Sequence, residues 1–422
     1  MSMLIKNVRL DGQPVDIFIN GRYIEKVGER LSEEAATVID GSNKAVVPGF
    51  INGHTHSAMT LFRGFGDDLP LERWLGEKIW PCEKRLSEDD VYWGTKLACV
   101  EMIKTGTTCF NDMYMHYPPV LKAVEEMGLR ATLGSTVFDF FRDDLAEKAR
   151  RQVEKDSCLP RSERISFSLA PHAVYTVSGA MLRWIGDLAK AGGWLVHLHL
   201  AETQTEYDNS VRDFGLSPVR YLNSLKILAP HLILAHCLYV DDEEIKMLAD
   251  NGVKVVHNPN SNLKLGSGHV FRYEEMKAAG ITVGIGTDGA ATSNNLNLPE
   301  AAKIAALLQK GWRRDPTAMP AGDALKCITE NGADILRINA GKIEAGRLAD
   351  LCLVDLRSSP FAVDFNFVSN LIYAAYGNCV DTVICDGKIL MENHHVPGEE
   401  EIMRHAGAAA HRLTNFRHGK GK

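Results

Sequence analysis

The central part of the chain alternates between short apolar runs and longer helix-like segments, and this alternation limits the folds open to it. Segments such as 87–104, 118–127 and 241–250 have helical character. The strand-like runs are 46–56, 107–112, 130–134, 165–169, 194–199, 232–236, 253–257 and 281–286. Eight strand–helix alternations over roughly 250 residues predict an α/β fold of the (β/α)8 or TIM-barrel type. An open doubly wound sheet is the alternative, but no Gly-x-Gly-x-x-Gly turn follows the first strand.

Strand-like segments also occur near both ends of the chain. They are 4–8, 15–19 and 45–47 before the barrel, and 349–355 and 380–390 after it. Since the first group is too small to bury much core alone, we expect both ends to pair into a small flanking β-sandwich domain. The predicted division is 1–48 and 345–392 for the β-domain, 49–344 for the barrel, and 393–422 for a C-terminal helix and a disordered polar tail.

Composition excludes several classes of protein. The chain has 422 residues, 45% of them hydrophobic and 24% charged, with a formal net charge of -7 and dispersed basic residues. This balance argues against a nucleic-acid or membrane partner. We find no signal peptide and no apolar run that could span a bilayer. With nine cysteines and no Cys-x-x-Cys pair, the sequence favours a reduced, cytoplasmic protein, and it leaves a homo-oligomer open.

Polar residues follow nearly every predicted barrel strand at its C-terminal end, where such barrels carry their active sites. One histidine at a strand end is more often a buried core residue than a ligand. Repetition at the same end of nearly every strand is hard to explain by packing, and therefore predicts a shared site. Two histidines one residue apart also point to the same face of a strand and can bind one metal ion. The residues are His54, His56, His172, His199, His236, His257 and Asp288.

Several motifs occur in an order that resembles a known family. They lie at 48–56, 61–64, 67–71, 80–83, 106–108, 111–114, 170–172, 197–203, 235–237, 257–262 and 286–290. With them, nearly the whole chain resembles the amidohydrolase superfamily. Within it, the chain is most similar to the 5-methylthioadenosine/S-adenosylhomocysteine deaminases and the related 5′-deoxyadenosine deaminases.

This resemblance implies a metal site made by His54, His56, His199 and Asp288. His197 is a rival to His199 on the same strand face, but the family's His-x-x-Glu pattern matches His199 with Glu202. His197 is then expected to pack inside the barrel. Such ligands suit Zn2+, with Fe2+ and Mn2+ as alternatives. Two-metal relatives use a bridging lysine at the fourth strand, and 165–175 contains none. We therefore expect one divalent ion per chain.

The implied reaction is hydrolytic deamination of adenosine, 5′-deoxyadenosine, 5-methylthioadenosine or S-adenosylhomocysteine to an inosine-type product and ammonia. Glu202 would contact the substrate and carry a proton to the ring nitrogen beside the attacked carbon. Asp288 would take a proton from the attacking water and pass it to the leaving amine, and His236 would orient that water. His257 is expected only to shape the mouth of the barrel.

The resemblance also implies that Trp74, Glu83 and His172 hold the nucleoside. Glu83 and Trp74 have ordinary alternatives as an exposed charge and a helix anchor. A small hydroxyl residue after Asp288 is either Thr292 or Ser293. Arg142 is the one candidate for binding the carboxylate of S-adenosylhomocysteine, which we therefore expect to be a poorer substrate.

Three other functions stay open from the sequence. A guanine-type base deaminase or a triazine chlorohydrolase would use the same metal motifs. A non-catalytic scaffold of the same fold is disfavoured because every ligand is present. Deaminases of the cytidine type are excluded, since their Pro-Cys-x-x-Cys signature is absent.

Overall fold

The computed structural model describes residues 2–414, which form two sheets surrounded by helices. The predicted tail at 415–422 lies outside the described residues. The strands are β1 (Ser2–Leu10), β2 (Gln13–Asn20), β3 (Tyr23–Gly28), β4 (Thr37–Asp40), β5 (Lys44–Pro48), β6 (Phe50–Thr55), β7 (Thr107–Tyr114), β8 (Arg130–Val137), β9 (Ile165–Pro171), β10 (Leu195–Leu200), β11 (Leu232–His236), β12 (Lys254–His257), β13 (Val283–Ile285), β14 (Leu351–Asp355), β15 (Val380–Cys385) and β16 (Lys388–Met391).

The helices fill the connections between the barrel strands and follow the last of them. The α-helices are Leu71–Trp74, Trp80–Glu83, Glu88–Lys104, Tyr117–Met127, Asp143–Ser157, Gly179–Gly192, Gln204–Phe214, Pro218–Ser224, Asp242–Asp250, Pro259–Lys264, Tyr273–Ala278, Ala290–Ser293, Leu298–Arg313, Ala321–Cys327, Glu330–Leu336, Phe367–Ser369 and Glu399–Thr414. Short 3-10 helices lie at Ser57–Phe62, Ser359–Phe361 and Gly377–Cys379, and π-helical turns at Leu75–Ile79 and Asn370–Ala374.

Strands β6 to β13 form a parallel sheet in chain order, which confirms the predicted (β/α)8 barrel. The first and last strands meet where the amide of Asp288 donates to the carbonyl of His54 at 3.0 Å. Seven of the eight observed strands begin and end within three residues of the predicted ones. No helix within the described residues combines the length and the apolar character needed to cross a bilayer.

The two chain ends build one mixed sheet beside the barrel, in the order β16-β15-β14-β5-β1-β2-β3 with β4 paired to β1. Strand β14 runs antiparallel to β5, so the predicted pairing of the two ends is confirmed. The predicted strand at 380–390 is two strands, because the chain turns at Asp386–Gly387 with both residues in the left-handed region. The exact division into domains stays a prediction.

The chain passes from the terminal sheet to the barrel at Gly49. The amide of Gly49 donates to the carbonyl of Asp350 at 2.9 Å, while that of Phe50 donates to Gly106 in the barrel, also at 2.9 Å. A side chain at Gly49 would lie 2.2 Å from Oγ1 of Thr108, so only glycine fits there. The run predicted at 46–56 is therefore two strands, β5 and β6, that belong to different sheets.

A buried ion pair also joins the two sheets. Arg130, the first residue of β8, donates to both carboxylate oxygens of Asp350 at 2.7 and 3.2 Å and to Asp386 at 2.8 Å. The side chains of Arg130 and Asp350 are 4% and 1% exposed. Because both charges are buried, loss of either partner would leave the other as an unpaired buried charge and destabilise the protein.

Candidate active site

The polar residues predicted at the strand ends meet at one end of the barrel. His54 is on β6, His56 follows that strand, His199 is on β10, His236 ends β11, and Asp288 follows β13. The ligand atoms of His54, His56 and His199 lie within 4.8 Å of one another, as do those of His54, His236 and Asp288. Oδ1 of Asp288 is 3.6 Å from Nε2 of His54 and 3.4 Å from Nε2 of His56.

Hydrogen bonds at the far side of each ring orient two of these imidazoles. Nδ1 of His56 bonds the carbonyl of Met113 at 2.5 Å, and Nδ1 of His199 bonds the carbonyl of His172 at 2.8 Å. A carbonyl only accepts, so both Nδ1 atoms carry the proton and both Nε2 atoms keep a lone pair. These two Nε2 atoms are 3.2 Å apart. Both rings are therefore set to bind a cation through Nε2.

The protonation of this cluster also suits a cation. Burial lowers the pKa of His54 to about 4 and that of His199 well below its usual value, so both rings are neutral near pH 7. Burial raises the pKa of Asp288, but the nearby imidazoles of His54, His56 and His236 lower it more, and the net pKa is well below the usual range. Nε2 of His54 is buried without a hydrogen-bond partner among the described residues. Three imidazoles, one carboxylate and this orphaned nitrogen fit a divalent metal ion.

His197 lies behind the cluster rather than in it. Its Nε2 is 2.9 Å from Nδ1 of His54, and its Nδ1 is 3.0 Å from the amide nitrogen of Asn111. The side chain is fully buried, as the sequence predicts for a residue inside the barrel. Sequence reasoning missed the Asn111–His197–His54 chain, because nothing in the spacing of these residues shows that three strands bring them together.

His236 and Glu202 face each other across the same space. Nε2 of His236 is 3.7 Å from a carboxylate oxygen of Glu202. The amide of Asn262 donates to Nδ1 of His236 at 2.9 Å, so the neutral ring carries its proton on Nε2. Burial lowers the pKa of His236, which favours this neutral form. His236 is therefore oriented as a hydrogen-bond donor, unlike His56 and His199.

The backbone at these strand ends is strained. Ala201, His236, Cys237 and Asp288 have φ angles of 52°, 77°, 49° and 61°, in the left-handed region that non-glycine residues avoid. Each such residue costs on the order of 1–3 kcal/mol and persists only where its surroundings hold it. Strain of this kind clusters at functional sites.

A cavity of about 700 Å3, partly open to solvent, adjoins the cluster and is lined by His56, His199, Glu202, His236 and Asp288. Three of the predicted substrate residues, Trp74, Glu83 and His172, also line it. The ring of Phe138 packs on that of His172 with centroids 4.7 Å apart. The structure thus brings most of the predicted metal, catalytic and nucleoside-binding residues to one cavity.

The side chain of Tyr114 lines the cavity, and the sequence does not predict a role for it. Its hydroxyl donates to Oε1 of Glu83 at 3.0 Å. Burial raises the pKa of Glu83, whereas this hydrogen bond from Tyr114 opposes the rise. Tyr114 ends β7, and this position at the C-terminal end of a barrel strand is the signal in the sequence that places it near the site.

Some predicted residues lie outside this cavity. Arg142 is not among the lining residues, because its exposed guanidinium pairs with Asp144 at 2.7 Å. Thr292 lines the cavity and Ser293 does not, although the hydroxyls of both lie within hydrogen-bond distance of the carbonyl of Gly289. His257 stacks on Phe271 with ring centroids 4.2 Å apart, and so packs at the barrel wall.

Comparison with known proteins agrees with this geometry. Residues 45–390 match the amidohydrolase family. The chain is 44% identical to the 5′-deoxyadenosine deaminase of Methanoregula boonei, covering 98% of this chain and 95% of that one. It is 43% identical to 5-methylthioadenosine/S-adenosylhomocysteine deaminase 1 of Archaeoglobus fulgidus, covering 94% of each.

A solved structure is similar over the same extent. The adenosine deaminase of Xanthomonas campestris, determined with bound zinc, superposes with a TM-score of 0.92 at 31% identity and covers 98% of both chains. The matched family, the nearly full-length relatives and the His/Asp cluster at the barrel mouth agree, and the chain belongs to the amidohydrolase family.

Proposed function

We propose that this protein is a metal-dependent hydrolase that deaminates adenosine-type nucleosides. The observation that carries the proposal is one cavity that joins a three-histidine, one-aspartate cluster to Glu202, His236 and Glu83. The nearly full-length similarity to deaminases of 5′-deoxyadenosine and of 5-methylthioadenosine supports the same reaction. The product would be an inosine-type nucleoside and ammonia.

In this proposal, His54, His56, His199 and Asp288 hold one divalent ion per chain. Zn2+ suits these ligands best, and Fe2+ or Mn2+ are the alternatives. When bound, such an ion supplies Lewis acidity that makes water a nucleophile near neutral pH. The absence of lysine from 165–175 supports one ion rather than two.

The chain's own groups move the protons. Glu202 donates a proton to the ring nitrogen beside the attacked carbon, which makes that carbon electrophilic, and takes a proton back from the added hydroxyl when that carbon becomes a carbonyl. Asp288 accepts a proton from the attacking water and returns it to the departing amine. His236 orients the water through its Nε2–H, the proton position favoured by the bond from Asn262.

Side chains away from the histidine cluster hold the nucleoside. Trp74, 3% exposed, offers an aromatic face for the purine, and His172 offers a ring nitrogen to the base. Glu83 accepts hydrogen bonds from the ribose hydroxyls, while Thr292 is the hydroxyl residue near the base. A half-buried carboxylate for ribose favours a nucleoside over the free bases and triazines that the sequence leaves open.

The proposal includes a preference among 5′ substituents. None of the residues that line the cavity, in the part of the chain described, is a lysine or an arginine. A carboxylate there would lose hydration without gaining a cationic partner. S-adenosylhomocysteine should therefore be a poorer substrate than 5′-deoxyadenosine, 5-methylthioadenosine or adenosine.

We place the enzyme in the cytoplasm, where its nine free cysteines would stay reduced. Its partner is the small-molecule substrate. A homo-oligomer is compatible with this function and is tested by light scattering.

The test is ammonia release from metal-replete protein across those four nucleosides, guanine and a chlorinated triazine. Turnover of the adenosine-type nucleosides with little on guanine or triazine is expected. A preference for guanine, or chloride release from the triazine, would replace this proposal with one of the two alternatives.

Metal content provides a separate prediction. Purified protein should hold about one divalent ion per chain by elemental analysis, and Asp288→Ala should abolish turnover because it removes both a ligand and a proton carrier. Two ions per chain, or an active Asp288→Ala variant, would contradict the assigned roles.

A further inference from the structure

The turn that carries Glu202 is held by a second acidic residue, Glu206. The turn is short: β10 ends at Leu200, Thr203 caps the next helix, and that helix begins at Gln204. Glu206 is the third residue of the helix, is 5% exposed, and reaches back over the cap. One carboxylate oxygen accepts from the amide of Ala201 at 2.9 Å and the other from the amide of Glu202 at 2.9 Å.

This arrangement differs from an ordinary capping box. In a capping box, the acidic residue at the third helical position accepts from the amide of the cap residue itself. Glu244 does this in the helix after β11, where it accepts from the amide of its cap Asp241 at 2.9 Å. Glu206 holds the same position but bonds the two residues before its cap Thr203. Its carboxylate therefore holds the turn before the helix rather than capping the end of the helix.

The turn needs support from both sides. Ala201 has a φ of 52°, which costs an alanine about 1–2 kcal/mol relative to ordinary backbone. Its carbonyl accepts from the amides of Leu238 and Tyr239 at 3.0 and 3.1 Å, which anchors it to the loop after β11. Its amide is held by Glu206 alone among the described residues. Removing the Glu206 carboxylate would therefore leave the amide of Ala201, the strained residue that precedes Glu202, without its hydrogen bond.

We propose that Glu206 is a positioning residue for Glu202. By binding the amides of Ala201 and Glu202, it keeps the strained turn in the one conformation that directs the Glu202 carboxyl into the cavity beside His236. The inference rests on the proposed deaminase function, since Glu202 is the proton carrier there. Glu206 itself does not touch the substrate; its carboxylate oxygens are both used on the backbone.

Glu206→Gln is the informative substitution. The amide keeps the size of the side chain, but its NH2 group faces a backbone N–H and cannot accept from it. One of the two hydrogen bonds that hold the turn is then lost. A misplacement of about 1 Å can cost up to about 100-fold in rate, so we expect kcat to fall about 10- to 100-fold, with KM and metal content unchanged. If this variant does not fold, Glu206→Asp, which is too short to bond both amides, serves instead.

A double-mutant cycle shows whether the effect passes through Glu202. In the Glu202→Gln background, Glu206→Gln should change kcat by less than about twofold, since there is no proton carrier left to position. A further loss as large as that in wild type would show that Glu206 acts through another group and would overturn the inference. So would an unchanged kcat in the Glu206→Gln variant.

Glu244→Gln is the matched control, because it removes a buried acid from the same helical position one barrel unit away. It should lower the unfolding temperature and leave kcat within about twofold, since its contacts are with its own cap Asp241 and with Ser217 and Arg220 at the preceding helix, and not with the Glu202 turn. An equal loss of kcat in Glu244→Gln would mean that any lost cap impairs the enzyme, and would overturn the inference. Wild-type protein that releases no ammonia from any nucleoside would instead disprove the proposed function.

Discussion

His56 and His199 show how much of this site depends on contacts behind the reacting atoms. Their Nε2 atoms face the cavity because their Nδ1 atoms are fixed by the carbonyls of Met113 and His172. The positions of the histidines follow from the sequence, because strand ends repeat them. Their tautomers cannot be predicted from the sequence, because they are set by backbone carbonyls elsewhere in the chain. Every residue has such a carbonyl, so residue type does not show which one will accept.

Glu202→Gln tests the proton carrier. The amide retains the shape of the side chain but is not a useful acid or base, so kcat should fall by roughly two to four orders of magnitude. Metal content, measured by elemental analysis, should persist because Glu202 is outside the proposed group of metal ligands. Loss of the metal would instead make Glu202 a ligand and reopen the choice of His199.

Tyr114→Phe tests the support of Glu83. Loss of the hydrogen bond should raise KM for adenosine about tenfold with a smaller change in kcat, and leave KM for 2′,3′-dideoxyadenosine nearly unchanged. The bond opposes protonation of Glu83, whose pKa burial raises, so its loss should also move the acid rise of KM to higher pH.

Tyr92→Phe is the control for this substitution, since it removes a hydroxyl bonded to Glu126 at the protein surface at 2.6 Å. Equal KM increases for adenosine and its dideoxy analogue would show that Tyr114 does not act through the ribose hydroxyls.

At the scale of elements, the loop after β8 shows where the pattern of residues is informative and where it is not. The strand itself follows from its apolar run, and the observed β8 extends the prediction by three residues. The loop contains Phe138, Phe140 and Phe141, and sequence alone cannot say which of them faces the ligand. Phe138 lines the cavity, while the other two are 50% and 51% exposed. Loop direction depends on φ angles, here positive at both exposed rings, which spacing does not encode.

Substrate preference tests this loop. The kcat/KM values of wild type for 5′-deoxyadenosine, 5-methylthioadenosine and adenosine should exceed that for S-adenosylhomocysteine. Arg142→Ala should leave this order unchanged, since Arg142 is paired with Asp144 at the surface. Arg151→Ala, which removes another exposed arginine paired within its own helix, is the control. A selective loss for S-adenosylhomocysteine in Arg142→Ala would show that the loop turns inward with that substrate.

At the scale of the molecule, the barrel and the terminal sheet depend on one another. The pairing of both chain ends follows from their similar strand-rich texture. The ion pair that connects them cannot be predicted in this way, because Arg130 and Asp350 are 220 residues apart. Arginine and aspartate are also residue types that are usually exposed. A buried bidentate pair is recognisable only when the fold brings the two residues together.

This pair gives a stability prediction. Arg130→Met alone should lower the free energy of unfolding by about 3–5 kcal/mol, because it leaves the carboxylate of Asp350 buried without its cation, whereas Asp386 keeps its ion pair with Arg22. The double variant Arg130→Met/Asp350→Leu should recover much of that loss. Urea denaturation measures both, and a double variant no more stable than the single one would argue against the unpaired charge as the cause.

The antiparallel pairing of β5 with β14 has a consequence for synthesis of the protein. Strand β5 leaves the ribosome before any barrel strand, yet its partner follows the last barrel helix. Throughout translation of the barrel, the strand that leads into His54 therefore has an unpaired edge, and unpaired apolar edges promote aggregation. A chain terminated after Leu336 would keep that edge permanently, so truncation products should be substrates for chaperones and proteases even with every catalytic residue present.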